Sequence, residues 1–221
     1  RLFCGNSGID FPQLKVRGSV FRTSPVAGLD LPSVAGKGFA FRKRLDGGYS
    51  VANRGASVAE IVPDSFRLFF KYSAARRSMQ GDLKLRLGER FFTEMMTPRR
   101  WKLDAKTPFE DVRILDPTPD TKLLEEAKET LVATFPAFEG AKMVESWAGL
   151  IDVTPDVVPV IGPIPSVPGF YLASGFSGHG FGIGPAAGRL MADIIAGDNP
   201  IADPKPLRFE RFTDGSPIVV N

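Results

Sequence analysis

A dense cluster of glycines marks the stretch of this sequence whose residue types best suit chemistry. Within ten residues the chain carries Gly175, Gly178, Gly180, Gly182 and Gly184. An apolar run at 170–173 before the cluster predicts a buried strand, and Pro185 to Ile195 after it predicts a helix. Glycine adopts positive φ without strain and lets the backbone approach a flat ligand. Because a helix N-terminus also favours negative charge, the stretch predicts a site for a large anionic ligand.

The same glycines also fit a purely structural role. A tight connection between a strand and a helix uses glycine only to permit close packing, and the Gly-x-Gly-x-x-Gly pattern of dinucleotide-binding loops does not follow the strand at 170–174. Pro185 is expected in the first helical turn in either case, since its fixed φ is already helical. The spacing alone leaves both hypotheses open.

The elements that must position this loop are predicted from hydrophobic periodicity. The clearest is an amphipathic helix that opens at Thr118 and ends at Pro136. The sequence Leu-Asp-Gly-Gly at 45–48 predicts a hairpin between strands at 39–44 and 49–53. Further strands are predicted at 15–23, 83–87, 143–147, 149–153 and 158–161, weaker strands at 112–115 and 207–212, and further helices at 63–74 and 91–96. This mixture predicts an α+β fold, with an antiparallel or mixed sheet flanked by helices.

Composition and charge exclude several classes of function. The chain has 221 residues, 43% hydrophobic and 24% charged, which is typical of a soluble globular protein of one domain or two small ones. A net charge of +3 does not indicate nucleic-acid binding. One cysteine, Cys4, and one histidine, His179, provide neither a disulfide nor a zinc ligand set, so no metal site is predicted. No run of about 20 apolar residues and no signal peptide is recognisable, so the cytoplasm is the expected compartment.

Three further segments accompany the glycine cluster, and together the four carry a resemblance to a known family. They read Trp-Ala-Gly-Leu-Ile-Asp-Val-Thr-Pro-Asp at 147–156, Pro-Val-Ile-Gly at 159–162 and Pro-Gly-Phe-Tyr-Leu-Ala-Ser-Gly at 168–175, and the loop adds Ser-Gly-His-Gly-Phe-Gly-Ile-Gly-Pro-Ala-Ala-Gly-Arg at 177–189. With these motifs the chain resembles the carboxyl-terminal part of the FAD-dependent amine and amino-acid oxidoreductases. That family includes D-amino-acid oxidase and dehydrogenase, glycine oxidase and sarcosine oxidase.

The resemblance implies FAD as the cofactor and assigns the glycine loop to it. In this family the matching loop passes beside the flavin ring, and the following helix aims its positive end at the N1–C2=O edge, where reduction places negative charge. The implied cofactor-binding residues are Gly175, Ser177, Gly178, His179, Gly180, Phe181, Gly182 and Ile183. The implied reaction is hydride transfer from an amine-bearing carbon to flavin N5, which leaves an imine that hydrolyses.

His179 is the candidate catalytic residue, because it is the titratable side chain of the loop. In one hypothesis it lines the flavin edge and tunes its electrostatics or the protonation of the amine. In the other it is a packed loop residue whose ring bonds to the backbone. Thr154, Asp156 and Asp152 are interpreted as turn and capping residues and not as acid or base groups.

Two positions are candidates for substrate binding, Arg42 and Ile151. Arg42 in the predicted hairpin suits a carboxylate substrate, although a solvated strand arginine is the simpler interpretation. Ile151 occupies the place after Gly-Leu where many amino-acid oxidases of the family carry an arginine that grips the substrate carboxylate. Gly182 stands where the monomeric sarcosine oxidases carry a lysine used in oxygen activation, which favours a dehydrogenase over an oxidase.

The sequence is therefore interpreted as a fragment of an FAD-dependent dehydrogenase that resembles D-amino-acid dehydrogenase and acts on an amine or amino acid. The alternatives are an oxidase of an N-substituted or cyclic amino acid, and a non-catalytic flavoprotein subunit or interaction module. A membrane or an electron-transfer acceptor is a further candidate partner, and nucleic acid is not.

The resemblance also implies a division of the chain into two parts. Residues 11–147 would form the substrate-binding domain, while 1–10 and 148–221 would be the remnant of a Rossmann-like FAD-binding domain. Since the sequence lacks the Gly-x-Gly-x-x-Gly segment, an amino-terminal FAD-binding segment is expected to be missing and the chain alone is expected to be inactive.

Overall fold

A computed structural model of the chain describes residues 1–78 and 83–220. Its strands are β1 Leu14–Thr23, β2 Ser33–Ala35, β3 Ala40–Lys43, β4 Tyr49–Ala52, β5 Ser57–Glu60, β6 Leu83–Arg86, β7 Met143–Val153, β8 Val160–Pro163 and β9 Tyr171–Ser174. Its helices are α1 Leu2–Asn6, α2 Pro63–Arg67, α3 Ser73–Ser78, α4 Glu89–Met96, α5 Pro108–Asp111, α6 Thr121–Thr134 and α7 Gly180–Ala196. Short 3-10 turns lie at Pro136–Phe138, Lys205–Leu207 and Phe209–Phe212.

Seven of these strands form one mixed sheet. Its order is β2-β3-β4-β1-β5-β6, and β7 pairs with the opposite edge of β1. The β5 and β6 strands run parallel, whereas the other neighbouring strands of this sheet run antiparallel. The strands β8 and β9 form a separate antiparallel hairpin. Together with the flanking helices, this arrangement confirms the predicted α+β fold class.

The longest pairing in the sheet joins β1 to β7. Ten residue pairs connect the two strands, with one shift in register. The strands expected at 143–147 and 149–153 are one continuous strand, because Gly149 lies opposite Gly18 and keeps its place in the ladder. The expected domain boundary between 147 and 148 falls inside this strand, and the division into two domains stays a prediction.

One face of the sheet is covered by α6, as the amphipathic pattern predicted. Leu124 and Leu131 of the helix join Phe41 and Tyr49 of the hairpin strands in a buried cluster. The Asp120 carboxylate begins the helix by accepting a backbone N–H of its first turn at 3.2 Å. The helix and the β3–β4 hairpin are both present where the sequence placed them.

The hairpin of β8 and β9 packs against α7. Ile161 of β8 lies in a buried cluster with Ala187 and Leu190 of the helix. The strand at 170–173 was expected to be buried, but the side chains of β9 are exposed or half-buried. The burial prediction for β9 was wrong, because among the described residues β9 pairs only with β8, and β8 is the strand whose side chains enter the core.

The α7 helix begins five residues before the predicted start at Pro185. The Gly182 and Ile183 N–H groups both donate to the His179 carbonyl, at 3.1 and 3.2 Å, so helical turns form ahead of the proline. Pro185 therefore lies inside the helix and leaves the Phe181 carbonyl without its usual N–H partner. Neither α7 nor any other helix among the described residues is long and apolar enough to cross a membrane.

Two weak strand predictions were wrong. The segment 207–212 forms 3-10 turns, because the buried side chains of Phe209 and Phe212 are three residues apart, which is one turn of that helix. The segment 112–115 is irregular, and α5 precedes it. The Thr107 N–H donates to the Glu110 side chain at 2.7 Å and so caps this short helix.

The helix expected at 63–74 is divided into α2 and α3, and Tyr72 lies in the turns between them. Its hydroxyl accepts the Leu14 N–H of β1 at 3.0 Å and lies 2.5 Å from the Val153 carbonyl of β7, to which it donates. This one partly buried side chain therefore joins the helical segment to the ends of both central strands. Burial raises the pKa of Tyr72 above the usual tyrosine value, so the hydroxyl keeps the proton that it donates.

We expect Tyr72→Phe to lower the free energy of unfolding by about 2 kcal/mol, because it leaves buried backbone groups without partners. Urea unfolding of the variant and of the wild type measures the loss. Tyr171→Phe is the control, since Tyr171 is an exposed tyrosine of β9. Equal stability of the two variants would contradict the role given to the Tyr72 hydroxyl.

The raised pKa of Tyr72 also predicts a pH dependence of stability. Above the ordinary tyrosine pKa of about 10, the unfolded chain releases this proton while the folded chain retains it. Stability from this group is therefore complete below that pH and falls as the pH rises further. The free energy of unfolding should fall less with rising pH in Tyr72→Phe than in the wild type. Equal slopes of stability against pH in both proteins above that pH would count against the role given to the Tyr72 hydroxyl.

Candidate functional site

The loop after β9 has a backbone conformation that its sequence must support. Gly175 and Gly178 have φ values of 79° and 88°, and Ser177 between them has a φ of 51°. Glycine adopts this region without strain, whereas a serine needs support from its neighbours. The Ser177 hydroxyl accepts the Thr154 N–H at 3.3 Å and donates to the Gly175 carbonyl at 3.1 Å. These bonds tie the loop to the turn that follows β7.

Gly175 is required for its lack of a side chain as well as for its φ. A Cβ atom at this position would lie 2.4 Å from Cγ2 of Thr154 and 3.4 Å from the ring of Phe11. Neither contact can be relieved easily, because Thr154 and Phe11 are themselves buried. The first glycine of the loop therefore fixes how closely β9 approaches the end of β7.

An open helix end follows the loop. His179 is the N-cap of α7, is exposed, and makes no capping hydrogen bond through its ring. The N–H groups of Gly180 and Phe181, in the first turn, have no acceptor within the helix. Cβ atoms built on Gly182 and Gly184 would meet no other described part of the chain within 4 Å, and the Phe181 side chain is 97% exposed. A flat ligand with an anionic edge can lie against this surface.

Ile151 connects the loop with the sheet. Its Cγ2 atom would lie 3.7 Å from a Cβ on Gly178, and its Cδ1 atom would lie 3.3 Å from a Cβ on Gly18 of β1. Across the ladder Ile151 pairs with Val16. The structure thus places a predicted substrate-binding residue beside the predicted cofactor-binding loop. Ile183, the last residue predicted for the cofactor, lies on the first turn of α7 and is partly exposed.

A cavity of about 230 Å³ opens beside the neighbours of Ile151. Its walls are mostly apolar and include Val16, Ala59, Val62, Phe69, Leu85 and Val153. The sequence does not predict this cavity, because its walls come from four strands and three helices that are distant in sequence. The alternation of Leu83, Leu85 and Leu87 was the only signal, and it predicted a strand and not a wall.

Charged side chains line one side of the cavity. Glu94 lies 3.4 Å from the Lys15 ammonium and 3.0 Å from the Arg90 guanidinium. Burial lowers the pKa of Lys15 below its ordinary value, although Glu94 acts against that shift. Burial by itself raises the pKa of Glu94, but Lys15 and Arg90 hold that pKa below its usual range. Glu60 lies 3.3 Å from Arg90, so the cluster pairs two cations with two carboxylates.

Arg76 differs from the other cations of the cavity. It lies 4.8 Å over the Phe69 ring and forms no ion pair with a carboxylate of the described residues. Stacking on an aromatic ring holds a guanidinium in place and leaves its donors available. Arg76 is thus a positioned cation that can bind an anionic group.

The structure does not bring Arg42 to this site. Arg42 is exposed on β3, and its row across the sheet passes through Ser50 and Arg22. Arg22 lies six positions after Val16, the partner of Ile151, on β1. At about 3.3 Å per residue the two rows are about 20 Å apart. Arg42 therefore belongs to a different part of the sheet from Ile151 and the glycine loop.

Asp152 lies within β7 and not in a turn, contrary to its interpretation as a turn or capping residue. Its Oδ2 atom accepts hydrogen bonds from the Gly175 N–H at 2.6 Å and from Gln13 Nε2 at 2.9 Å. Thr154 and Asp156 do lie in the turn after β7, as expected. The Asp156 carboxylate is held by the buried Arg211 guanidinium at 2.6 Å.

A comparison with models of known protein families matches residues 1–194 to the family described as FAD dependent oxidoreductase, or DAO. The chain belongs to this family. The predicted resemblance is confirmed, and the cofactor of the family is FAD. The match includes the sheet, the glycine loop and most of α7.

Individual relatives within the family agree with this assignment. Glycine oxidase of Pseudomonas putida is 40% identical over 91 residues, which cover 41% of this chain and 25% of that protein. Sarcosine oxidase subunit beta of an Arthrobacter species is 34% identical over 93 residues, which cover 42% of this chain and 23% of that protein.

Solved structures extend the similarity over almost the whole chain. L-Amino acid deaminase from Proteus myxofaciens, solved in complex with anthranilate, superposes with a TM-score of 0.90 at 37% identity, covering 96% of this chain and 47% of that one. The L-amino acid deaminase from Proteus vulgaris gives a TM-score of 0.89 at 32% identity, covering 96% of this chain and 49% of that one. The chain spans about half the length of these structures and about a quarter of the two oxidases.

The residues at the start of α7 fit a bound flavin on the geometry of this chain alone. Gly182 and Gly184 have no other described part of the chain within 4 Å of their Cβ positions, and they leave a shallow cradle that a Cβ atom would fill. The unpaired N–H groups and the positive end of the helix suit the anionic edge of the ring. In residues 1–78 and 83–220, no group of three or more His, Cys, Asp or Glu side chains is arranged to hold a metal ion.

We expect Gly175→Ala to lower the free energy of unfolding by about 2–5 kcal/mol, because positive φ costs an alanine about 1–2 kcal/mol and overpacking against Thr154 adds about 1–3 kcal/mol. Gly215→Ala is the matched control: it has a φ of 83°, but a Cβ there would meet no described atom within 4 Å. Urea unfolding compares the two. Equal losses would show that close packing at Gly175 is not needed.

Proposed function

We propose that the protein of which this chain forms part is an FAD-dependent dehydrogenase that oxidises amino acids with bulky apolar side chains. The observation that carries the proposal is that the parts of the site adjoin one another. Gly178 of the loop before α7 lies beside Ile151, and Ile151 pairs with Val16, which lines the apolar cavity. The similarity to L-amino acid deaminases over 96% of the chain favours L-amino acids over the D-amino acids that the sequence motifs suggested.

In this proposal the glycine loop and α7 bind the cofactor. His179 remains a candidate for tuning the electrostatics of the flavin edge or the protonation of the substrate amine. FAD supplies the hydride acceptor when bound. The N–H groups of Gly180 and Phe181 and the helix dipole favour negative charge at the mouth of the loop. Because these dipoles are fixed by folding, they need no rearrangement when charge develops there.

The cavity would hold the substrate side chain, and Arg76 would hold the carboxylate. Ile151 cannot bind a carboxylate, so the cation must come from elsewhere in the wall. Lys15 and Arg90 are already paired with Glu94 and Glu60, whereas Arg76 is stacked on Phe69 with its donors available. Burying an apolar side chain in the cavity stabilises binding by about 1.5–3 kcal/mol, which glycine cannot gain.

We expect Gly182→Val in the holoprotein to abolish FAD binding, because its side chain would occupy the cradle at the start of α7. Visible absorption of bound flavin and an FAD titration measure the effect. Gly188→Val is the matched control, since Gly188 lies later in the same helix and its Cβ would also meet no other described part of the chain within 4 Å. Equal flavin content in both variants would contradict the assignment of the cradle.

We expect Arg76→Leu to raise the KM for L-leucine about tenfold or more, the effect of losing a hydrogen bond to a charged group. Arg77→Leu is the matched control, because Arg77 is the next residue of α3, is exposed, and bonds to the Ser73 carbonyl. Bleaching of the flavin by amino acids under anaerobic conditions measures this constant for both variants. A preference for glycine over L-leucine, or for D-leucine over L-leucine, would overturn the proposed substrate class.

A further inference from the structure

We propose that Asp152 is a positioning residue that fixes the glycine loop for FAD, an inference that rests on the proposed cofactor-binding role of that loop. Its Oδ2 atom accepts the Gly175 N–H at 2.6 Å, a short bond to a charged acceptor. The same oxygen lies 3.3 Å from the Ser174 hydroxyl and 2.9 Å from Gln13 Nε2, and both donate to it. One carboxylate thus gathers donors from β9, from the loop and from the segment before β1.

The position of Asp152 in β7 gives it this role. Successive side chains of a strand point to opposite faces, so Ile151 and Asp152 lie on opposite faces of β7. Asp152 pairs with Lys15 across the ladder, and that pairing fixes its backbone at the end of the sheet. The same strand therefore positions a wall of the substrate site and the start of the cofactor loop.

Apart from Phe176, which packs against the buried cluster of Ile161, Ala187 and Leu190, the loop has few other attachments. Gly178, His179 and Phe181 are exposed, so apolar packing of the described residues does not hold them. Ser177 fixes the middle of the loop through Thr154, and Asp152 fixes its beginning through Gly175. Without Asp152 the N–H of the buried Gly175 would have no partner. The backbone that leads from Gly175 to Ser177 would then lose the contact that orients it.

The test compares Asp152→Ala and Asp152→Asn in the holoprotein. We expect the FAD dissociation constant of Asp152→Ala to rise about tenfold or more, as for the loss of one hydrogen bond to a charged group. Asn keeps an oxygen acceptor for the Gly175 N–H, so Asp152→Asn should stay within about threefold of wild type. Asp46→Ala is the matched control, because Asp46 also accepts a glycine N–H, that of Gly48 at 3.0 Å, but lies in the β3–β4 hairpin.

Amide hydrogen exchange of the protein without FAD provides a second readout. In Asp152→Ala the segment 174–178 should exchange about tenfold faster while α6 is unchanged. If Asp152→Ala does not fold, Asp152→Asn provides the test. Because its acceptor is uncharged and weaker, exchange of the segment 174–178 should become about twofold faster. Equal exchange of the segment in Asp152→Asn and wild type would then overturn the proposal.

The outcomes separate this inference from the proposed function. If wild type binds FAD and Asp152→Ala binds it equally well, with unchanged exchange at 174–178, Asp152 is not a positioning residue and the proposed function stands. If the wild-type protein shows no FAD binding, the proposed function fails and this inference fails with it. Equal weakening in Asp152→Ala and Asp46→Ala would also overturn the inference, since the effect would not be local.

Discussion

The antiparallel ladder between β1 and β7 is the constraint on which the site depends. It joins ten residue pairs with one shift in register between Arg22 and Thr23, and the last positions of β7 are Ile151, Asp152 and Val153. The first of these three residues borders the glycine loop, the second accepts the first N–H of that loop, and the third lines the cavity. A slip of one residue would exchange the two faces of the strand. The register of a single strand pair therefore determines how the glycine loop, the proposed cofactor site, lies relative to the cavity proposed for the substrate.

The five glycines of the loop serve different physical purposes. Gly175 combines a positive φ with a contact that excludes a Cβ, and Gly178 contributes a positive φ beside Ile151. Gly182 and Gly184 have ordinary helical conformations and leave open space next to α7. The first two glycines are explained by folding alone, which is the structural hypothesis for the cluster. The open pair is not explained by packing within the described chain, and it is the part that a flat ligand accounts for.

Local patterns predicted much of the fold, but not the site as a whole. The α6 helix and the β3–β4 hairpin follow from residues close in sequence, so periodicity and turn chemistry predict them. The early start of α7 was missed because glycine has low helix propensity, and packing of Ala187 on Ile161 overrides it. The partner of Asp152 is 23 residues away, so a turn was the natural interpretation of the carboxylate. The cavity was missed for the same reason, since non-local pairing alone assembles its walls.

The α4 helix shows how the protein supports an apolar cavity beside buried charge. Its polar residues Arg90 and Glu94 point inward and neutralise Lys15 and Glu60, while Met96 is 79% exposed. Removing one member of such a cluster would leave an uncompensated charge, which costs more than the intact cluster contributes. The cations of the cluster are consequently committed to holding α4 against β1 and β5. In the proposed function, recognition of an anionic substrate group therefore falls to a cation outside the cluster, and Arg76 satisfies that condition because an aromatic ring, not a carboxylate, holds it in place.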